Sequence, residues 1–200
     1  MRFGLRLDGT RRPVTIPTLG RLSVHNALAG AAVGRAAGLS FDEIAAGLEV
    51  GWSAPHRVQV VRLGAVTLID DAYNASPRSM IAALELMTGL PGRRGAILGE
   101  MLELGEAGVE GHRLVGEAAA RTVDWLVVVG AGASGIAEGA QAAGLDPADI
   151  LRVRDVEEAI GAIEPRLRDG DVVLLKASRG VALERVVDGL RRASGPRPPR

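Results

Sequence analysis

Four short segments of this chain carry residue types that can do chemistry. The first, Ile69-Asp70-Asp71-Ala72-Tyr73-Asn74-Ala75-Ser76, sets two adjacent carboxylates, the only tyrosine and an amide between an apolar stretch and a helix start. Adjacent acids can bind ribose hydroxyls or a cation, or can serve as turn and cap residues. The second, Gly99-Glu100-Met101-Leu102-Glu103-Leu104-Gly105-Glu106, is an acidic loop too long for a minimal connection; a solvated linker is the plainer reading and a functional loop the other. The third is Lys176-Ala177-Ser178-Arg179-Gly180. A cation, a hydroxyl and a guanidinium beside a helix start suit a carboxylate or a phosphate. A lysine ending an apolar strand is costly to bury without a purpose.

The fourth segment, Gly130-Ala131-Gly132-Ala133-Ser134-Gly135, fits the dinucleotide fingerprint G-x-G-x-x-G between a strand and a helix. It predicts a nicotinamide cofactor only if it follows the first strand of its unit and an acid ends the next one. Here it follows a middle strand, and the expected region reads Leu151-Arg152-Val153-Arg154-Asp155, which supplies no convincing partner. His25, His56 and His112 share no metal-ligand spacing, and cysteine is absent, so thiolate chemistry and cysteine-ligated metals are excluded. Of 24 basic residues only Lys176 is a lysine, and Ala177 follows it. No Walker A motif, which needs Lys before Ser or Thr, can be present in these residues.

The elements that must position these segments are legible in outline. Residues 3–7 and 13–16 alternate around Asp8-Gly9-Thr10, predicting a hairpin. A helix is expected over 24–37 with Val24, Leu28 and Ala32 inward. A second, through Leu48, should be capped by Ser40 with Glu43 in a capping box, with Leu39 stapled on Ile44. From Arg57 strands alternate with helices: strands at 58–62, 65–70, 95–98, 125–129, 151–153 and 172–176, and helices from Ser76 to Gly89 and at 111–121, 134–143, 156–167 and 182–192. Leu126-Val127-Val128-Val129 and Val172-Val173-Leu174-Leu175 are apolar on both faces, as central parallel strands are. The fold class expected is α/β, a doubly wound, mainly parallel Rossmann-like sheet. The first 54 residues are too few to close a core alone, and the Pro-rich end, 193–200, reads as a disordered tail. The sequence is 47% hydrophobic with only 2% aromatics and zero net charge, giving no electrostatic reason to expect nucleic acid. No apolar run nears the about 20 residues of a membrane span, and the N-terminus is not a signal peptide, so a cytoplasmic location is expected.

Taken together, Leu68 to Leu84, Leu98 to Gly105 with His112 and Val115-Gly116, and Leu175-Lys176-Ala177-Ser178-Arg179 resemble the C-terminal domain of the Mur ligases. Gly20-Arg21 and Asn26-Ala27-Leu28-Ala29 resemble the end of that family's central ATPase domain, which would make residues 1–54 a remnant of it and 55–192 the C-terminal domain. The match is strongest to the branch that joins D-alanyl-D-alanine to UDP-MurNAc-tripeptide in peptidoglycan synthesis. The resemblance implies an ATP-dependent ligase forming ADP, working through an acyl phosphate, with Mg2+ accompanying ATP. It implies that Asn26 contacts adenine, Arg57 the ATP phosphates and Asp71 the ribose, while Asn74, Lys176 and Ser178 lie near the incoming dipeptide. Two departures stand out. Leu22-Ser23 occupy the place of a usual His-Asn, and Ala177 that of a usual glycine. The family's UDP-binding domain, P-loop and magnesium-binding segments would precede Met1, so the chain on its own is expected to be inactive. The rival expectation is a nucleotide- or dipeptide-binding module without catalysis.

Overall fold

The computed structural model describes residues 1–51 and 54–193. The chain divides into two compact units, Met1–Ala54 and Pro55–Arg200. The tail expected to be disordered lies, from residue 194 onward, outside the described residues.

In the first unit, β1 (Arg2–Leu7) pairs antiparallel with β2 (Thr10–Thr15). Asp8 and Gly9 both take positive φ, as a tight hairpin turn requires. Helices α1 (Arg21–Ala36) and α2 (Phe41–Val50) follow. The capping box is present: Ser40 Oγ accepts from the Glu43 amide, and the Ser40 amide donates to Glu43 Oε2 at 2.8 Å. Donation from the Ser40 hydroxyl, at 2.7 Å, and then from its amide holds the Glu43 carboxyl below its ordinary range. A small core joins Leu5, Val14, Ala31 and Ile44. The expected inward face of α1 is corrected. Ala27 and Ala31 are buried, while Leu28 and Ala32 are exposed, because the helix is seated through its small residues against α2 and the hairpin. Leu39 is also exposed, and its side chain and that of Ile44 both border Gly34.

The second unit is a six-stranded sheet in the order β3-β4-β8-β5-β6-β7. Its strands are β3 (Gln59–Leu63), β4 (Val66–Asp70), β5 (Arg94–Gly99), β6 (Trp125–Val129), β7 (Ile150–Val153) and β8 (Val172–Lys176). Only β3, at the edge, is antiparallel. Alternate residues of each strand feed opposite layers. Leu126 and Val128 join the core under α3 (Pro77–Thr88), α4 (Gly108–Ala120) and α5 (Ser134–Ala142). Trp125, Val127 and Val129 join the core under α6 (Val156–Ile163) and α7 (Glu184–Ala193). This is the expected doubly wound architecture. Helix boundaries differ most from expectation at four places: α1 begins at Arg21 and α4 at Gly108, each three residues early, and α6 and α7 are both shortened. Helix α6 stops at Ile163 and passes into a 3₁₀ turn at Pro165, and α7 starts only at Glu184, after a 3₁₀ turn and a left-handed Ala182. The many glycines have a use where α4 meets α5. A Cβ on Gly116 would lie 2.1 Å from the Ile136 carbonyl oxygen, and one on Gly139 2.2 Å from that of Arg113. The two backbones touch there.

One topological feature matters for chemistry. The last strand, β8, inserts between β4 and β5. Its carboxyl end therefore delivers residues 176–179 between the loop after β4 and the loop after β5, where open α/β sheets bind ligands.

Candidate functional site

At the carboxyl end of β4, Asp70 is 2% exposed and its carboxylate turns back on its own neighbourhood. Its Oδ1 accepts from the Ala72 amide at 3.2 Å, and its Oδ2 stands 2.8 Å from His56 Nδ1, which must be the donor to a carboxylate. Asp71 Oδ1 accepts from the Val58 amide at 3.2 Å, and the Tyr73 amide donates to the His56 carbonyl at 3.0 Å. These bonds hold a strained segment: His56 and Val58 both adopt left-handed φ, 57° and 50°. For a β-branched valine this is an outlier that persists only when its surroundings impose it. The twin acids thus clamp the residues on either side of Arg57 and fix where that exposed guanidinium emerges.

Lys176 closes the arrangement from β8. It is 3% exposed, and its ammonium donates to Asp71 Oδ2 at 2.5 Å, to the Asn74 carbonyl at 2.9 Å and to the Asp71 carbonyl at 3.4 Å. All three of its donors are engaged by residues 71–74, so it organises the loop from beneath. Burial pushes the Asp71 carboxyl above the ordinary carboxylate range, against the pull of the Lys176 ammonium and, more weakly, of Arg57. Asn74 is exposed; its side-chain oxygen accepts from the Ala75 amide at 2.8 Å, leaving its NH2 outward. Ser76 then caps α3 in a reciprocal pair with Ser79, with Pro77 at the first helical position.

Ser178 joins the loops on the other side of β8. Its Oγ accepts from the Leu102 amide at 2.9 Å, and its own amide donates to the Glu100 carbonyl at 3.0 Å. The Ala177 methyl packs where Gly99 has no side chain; a Cβ on Gly99 would lie 2.8 Å from it. His112 is a buried clasp for this acidic loop: Nε2 accepts from the Met101 amide at 2.9 Å and Nδ1 donates to the Gly108 carbonyl at 2.7 Å. That pair of bonds requires the neutral imidazole.

The glycine-rich loop after β6 is different in kind. The Glu100 side chain lies directly over Gly132, whose added Cβ would fall 2.2 Å from the carboxylate carbon. A pyrophosphate on this loop would meet an anion. Asp155, the remaining acid for a ribose, already caps α6 by accepting from the Glu158 amide at 2.9 Å. Neither feature suits a dinucleotide.

The sequence-predicted residues therefore sort clearly. Arg57, Asp71, Asn74 and Lys176 share one loop cluster, and Ser178 is tied to its neighbour through β8. Asn26 belongs to the first unit, exposed on α1 in a depression with Ser23, Ile16 and Leu48. Three contributions escaped sequence reasoning: Asp70 and His56 as the clamp on Arg57, Glu100 as the cover of Gly132, and stacking on Tyr73. The Arg57 guanidinium carbon lies 4.1 Å from the Tyr73 ring centroid, and that of Arg179 lies 5.3 Å from it. Local patterns such as Asp-Gly and Ser-x-x-Glu announce themselves in sequence; these long-range contacts do not. Among the described residues, no group of three or more His, Asp or Glu side chains could hold a metal, and no helix is long and apolar enough to cross a membrane.

The family model for the Mur ligase glutamate ligase domain matches residues 56–179. The UDP-N-acetylmuramoyl-tripeptide–D-alanyl-D-alanine ligase of Mycobacterium tuberculosis is 39% identical over 94% of this chain and 41% of its own length. That of Bacillus subtilis is 32% identical over 92% and 41%. Among solved structures, MurF from Acinetobacter baumannii superposes with a TM-score of 0.84 at 28% identity, covering 96% of this chain and 42% of the other. MurF from Thermotoga maritima, in complex with ADP, gives 0.82 at 27%, covering 96% and 43%. The chain thus spans about two fifths of the length of these relatives. These matches place the chain in the Mur ligase family, to which it belongs.

Proposed function

We propose that this chain supplies the C-terminal part of an ATP-dependent ligase that adds D-alanyl-D-alanine to UDP-MurNAc-tripeptide in peptidoglycan synthesis. The observation that carries the reading is the fixed emergence of Arg57 between two left-handed residues clamped by Asp70 and Asp71. Strain held by buried carboxylates beside an exposed cation is what a preorganised phosphate contact needs. In this reading Arg57 neutralises ATP phosphate charge. Asp71 has acceptor positions left for ribose hydroxyls, and the outward Asn74 amide meets the incoming dipeptide. Lys176 and Ser178 act on the dipeptide indirectly, by holding the loops that face it. Asn26 is assigned to adenine and residues 1–54 to the end of a central ATPase domain. Mg2+ arrives with ATP as part of the substrate; among the described residues no group of three or more His, Asp or Glu side chains offers it a ligand set.

Since no Walker A lysine is present in these 200 residues, nothing here secures the γ-phosphate. The chain alone is expected to release no phosphate from ATP with D-alanyl-D-alanine and UDP-MurNAc-tripeptide. Replacing the matching part of the Mycobacterium tuberculosis relative with this chain tests the reading. The chimera should form ADP in a dipeptide-dependent manner, and Arg57→Ala in it should lower turnover at least about 100-fold, as expected for a lost charged transition-state contact. A folded chimera that is inactive, or turnover by the chain alone, contradicts the proposal.

A further inference from the structure

Tyr73 has two guanidiniums on one ring. Arg57 reaches it from the segment before β3, and Arg179 from the turn after β8, with centroid distances of 4.1 and 5.3 Å. Both arginines are exposed, and neither forms an ion pair among the described residues. Lys176, the other cation of the β8 turn, has its three donors bonded to Asp71 and Asn74. The uncommitted positive charge of that turn is therefore Arg179. The backbone under the ring is also fixed, since the Tyr73 amide donates to the His56 carbonyl. A half-buried ring on a bonded backbone is a stiff platform. Stacking restricts each long side chain at its guanidinium while leaving the N–H fork free for a bidentate oxyanion.

We propose that Arg179 receives the carboxylate of the incoming peptide and that Tyr73 is the positioning residue that holds Arg179 and Arg57 on neighbouring anions. The assignment rests on the ligase reading above and extends it to a residue that reading leaves without a role. An incoming peptide that attacks through its amine carries a terminal carboxylate away from the reacting centre. That charge needs a cation distinct from the one on the phosphates, and a guanidinium matches a carboxylate in two parallel hydrogen bonds. The two guanidinium carbons can be no further apart than the sum of their distances to the ring centroid, so anions held by them are neighbours.

The single tyrosine makes the test direct, because 3-fluorotyrosine incorporated into the full chain gives one 19F resonance, at Tyr73. D-Alanyl-D-alanine should move that line saturably, and D-alanyl-D-alaninamide, which lacks the carboxylate, should bind at least tenfold more weakly. Arg179→Ala should erase the difference between the two while the response to ADP persists; Arg179→Lys should restore it in part. Arg57→Ala should weaken ADP and leave the discrimination. In unlabelled protein followed by calorimetry, Tyr73→Phe should behave as wild type and Tyr73→Leu should weaken both ligands. Equal binding of dipeptide and amide overturns the proposal, as does discrimination that survives Arg179→Ala. Loss of ADP binding in Arg179→Ala as deep as in Arg57→Ala overturns it in favour of a second phosphate contact. Failure of ADP to bind at all overturns the ligase reading with it, whereas ADP binding without carboxylate discrimination overturns only the role of Arg179.

Discussion

The loop after β4 and the loop after β6 both follow buried apolar strands and both carry a nucleotide-like signature, yet their interiors are opposite. In the first, buried carboxylates and an ammonium face inward and exposed guanidiniums face outward. In the second, a glycine that should admit a phosphate is covered by the side chain of Glu100. The difference teaches that a glycine pattern reports backbone room, while the sign of the charge that reaches the room decides which ligand can enter.

The comparison can be broken most severely at Lys176. Lys176→Met leaves Asp71 buried without its cation, and by analogy with other broken buried pairs it should cost about 3 kcal/mol in urea denaturation. Adding Asp71→Asn should recover most of that loss, since the uncompensated charge is then gone. Asp70→Ala should cost about 2 kcal/mol by removing the buried acceptor of His56 and of the Ala72 amide. It should also weaken ADP, as Arg57 loses its clamp. Ser76→Ala, which removes the cap of α3, should cost about 1 kcal/mol. On the other loop, Gly132→Ala displaces only the far end of a flexible glutamate and should cost less than about 1 kcal/mol, with Glu100→Ala in the same chain offsetting it. A loss there comparable with that at Lys176 would remove the contrast between the loops.

The contrast has a pH signature as well. Burial raises the folded-state value of Asp71 above its ordinary 3.8, so the folded chain binds this proton more readily than the unfolded chain. The contribution of Asp71 to stability is therefore present below that ordinary value and lost as pH rises through the folded one. The stability of wild type relative to Asp71→Asn should fall as pH rises from 3.8 through that window. A rise over the same window would show instead that Lys176 outweighs burial.

Much of the fold can be read from local pattern because its causes are local. Val172–Lys176 and Trp125–Val129 appear as strands at the residues their unbroken apolar runs mark, and Ser40 and Ser76 cap where their hydroxyls precede helical residues. The inward face of α1 does not follow from pattern: Leu28 looks like a core residue in isolation, while the packing selects Ala27 and Ala31. In the site, Asp71, Asn74 and Lys176 stand out by type, but their meeting depends on β8 pairing beside β4, about a hundred residues later in the chain. The roles of Asp70, His56 and Glu100 are invisible in sequence for the same reason. An acid looks identical whether it faces a ligand, clamps a strained neighbour or fills a glycine cradle.

The most direct test of the account is a titration of the 15N-labelled chain with ADP, followed amide by amide. The account predicts that Arg57, Val58, Tyr73 and Asn74 shift together with increasing ADP while Gly130, Gly132 and Gly135 stay in place. Shifts centred on Gly130 to Gly135, with the β4 loop unmoved, would contradict it.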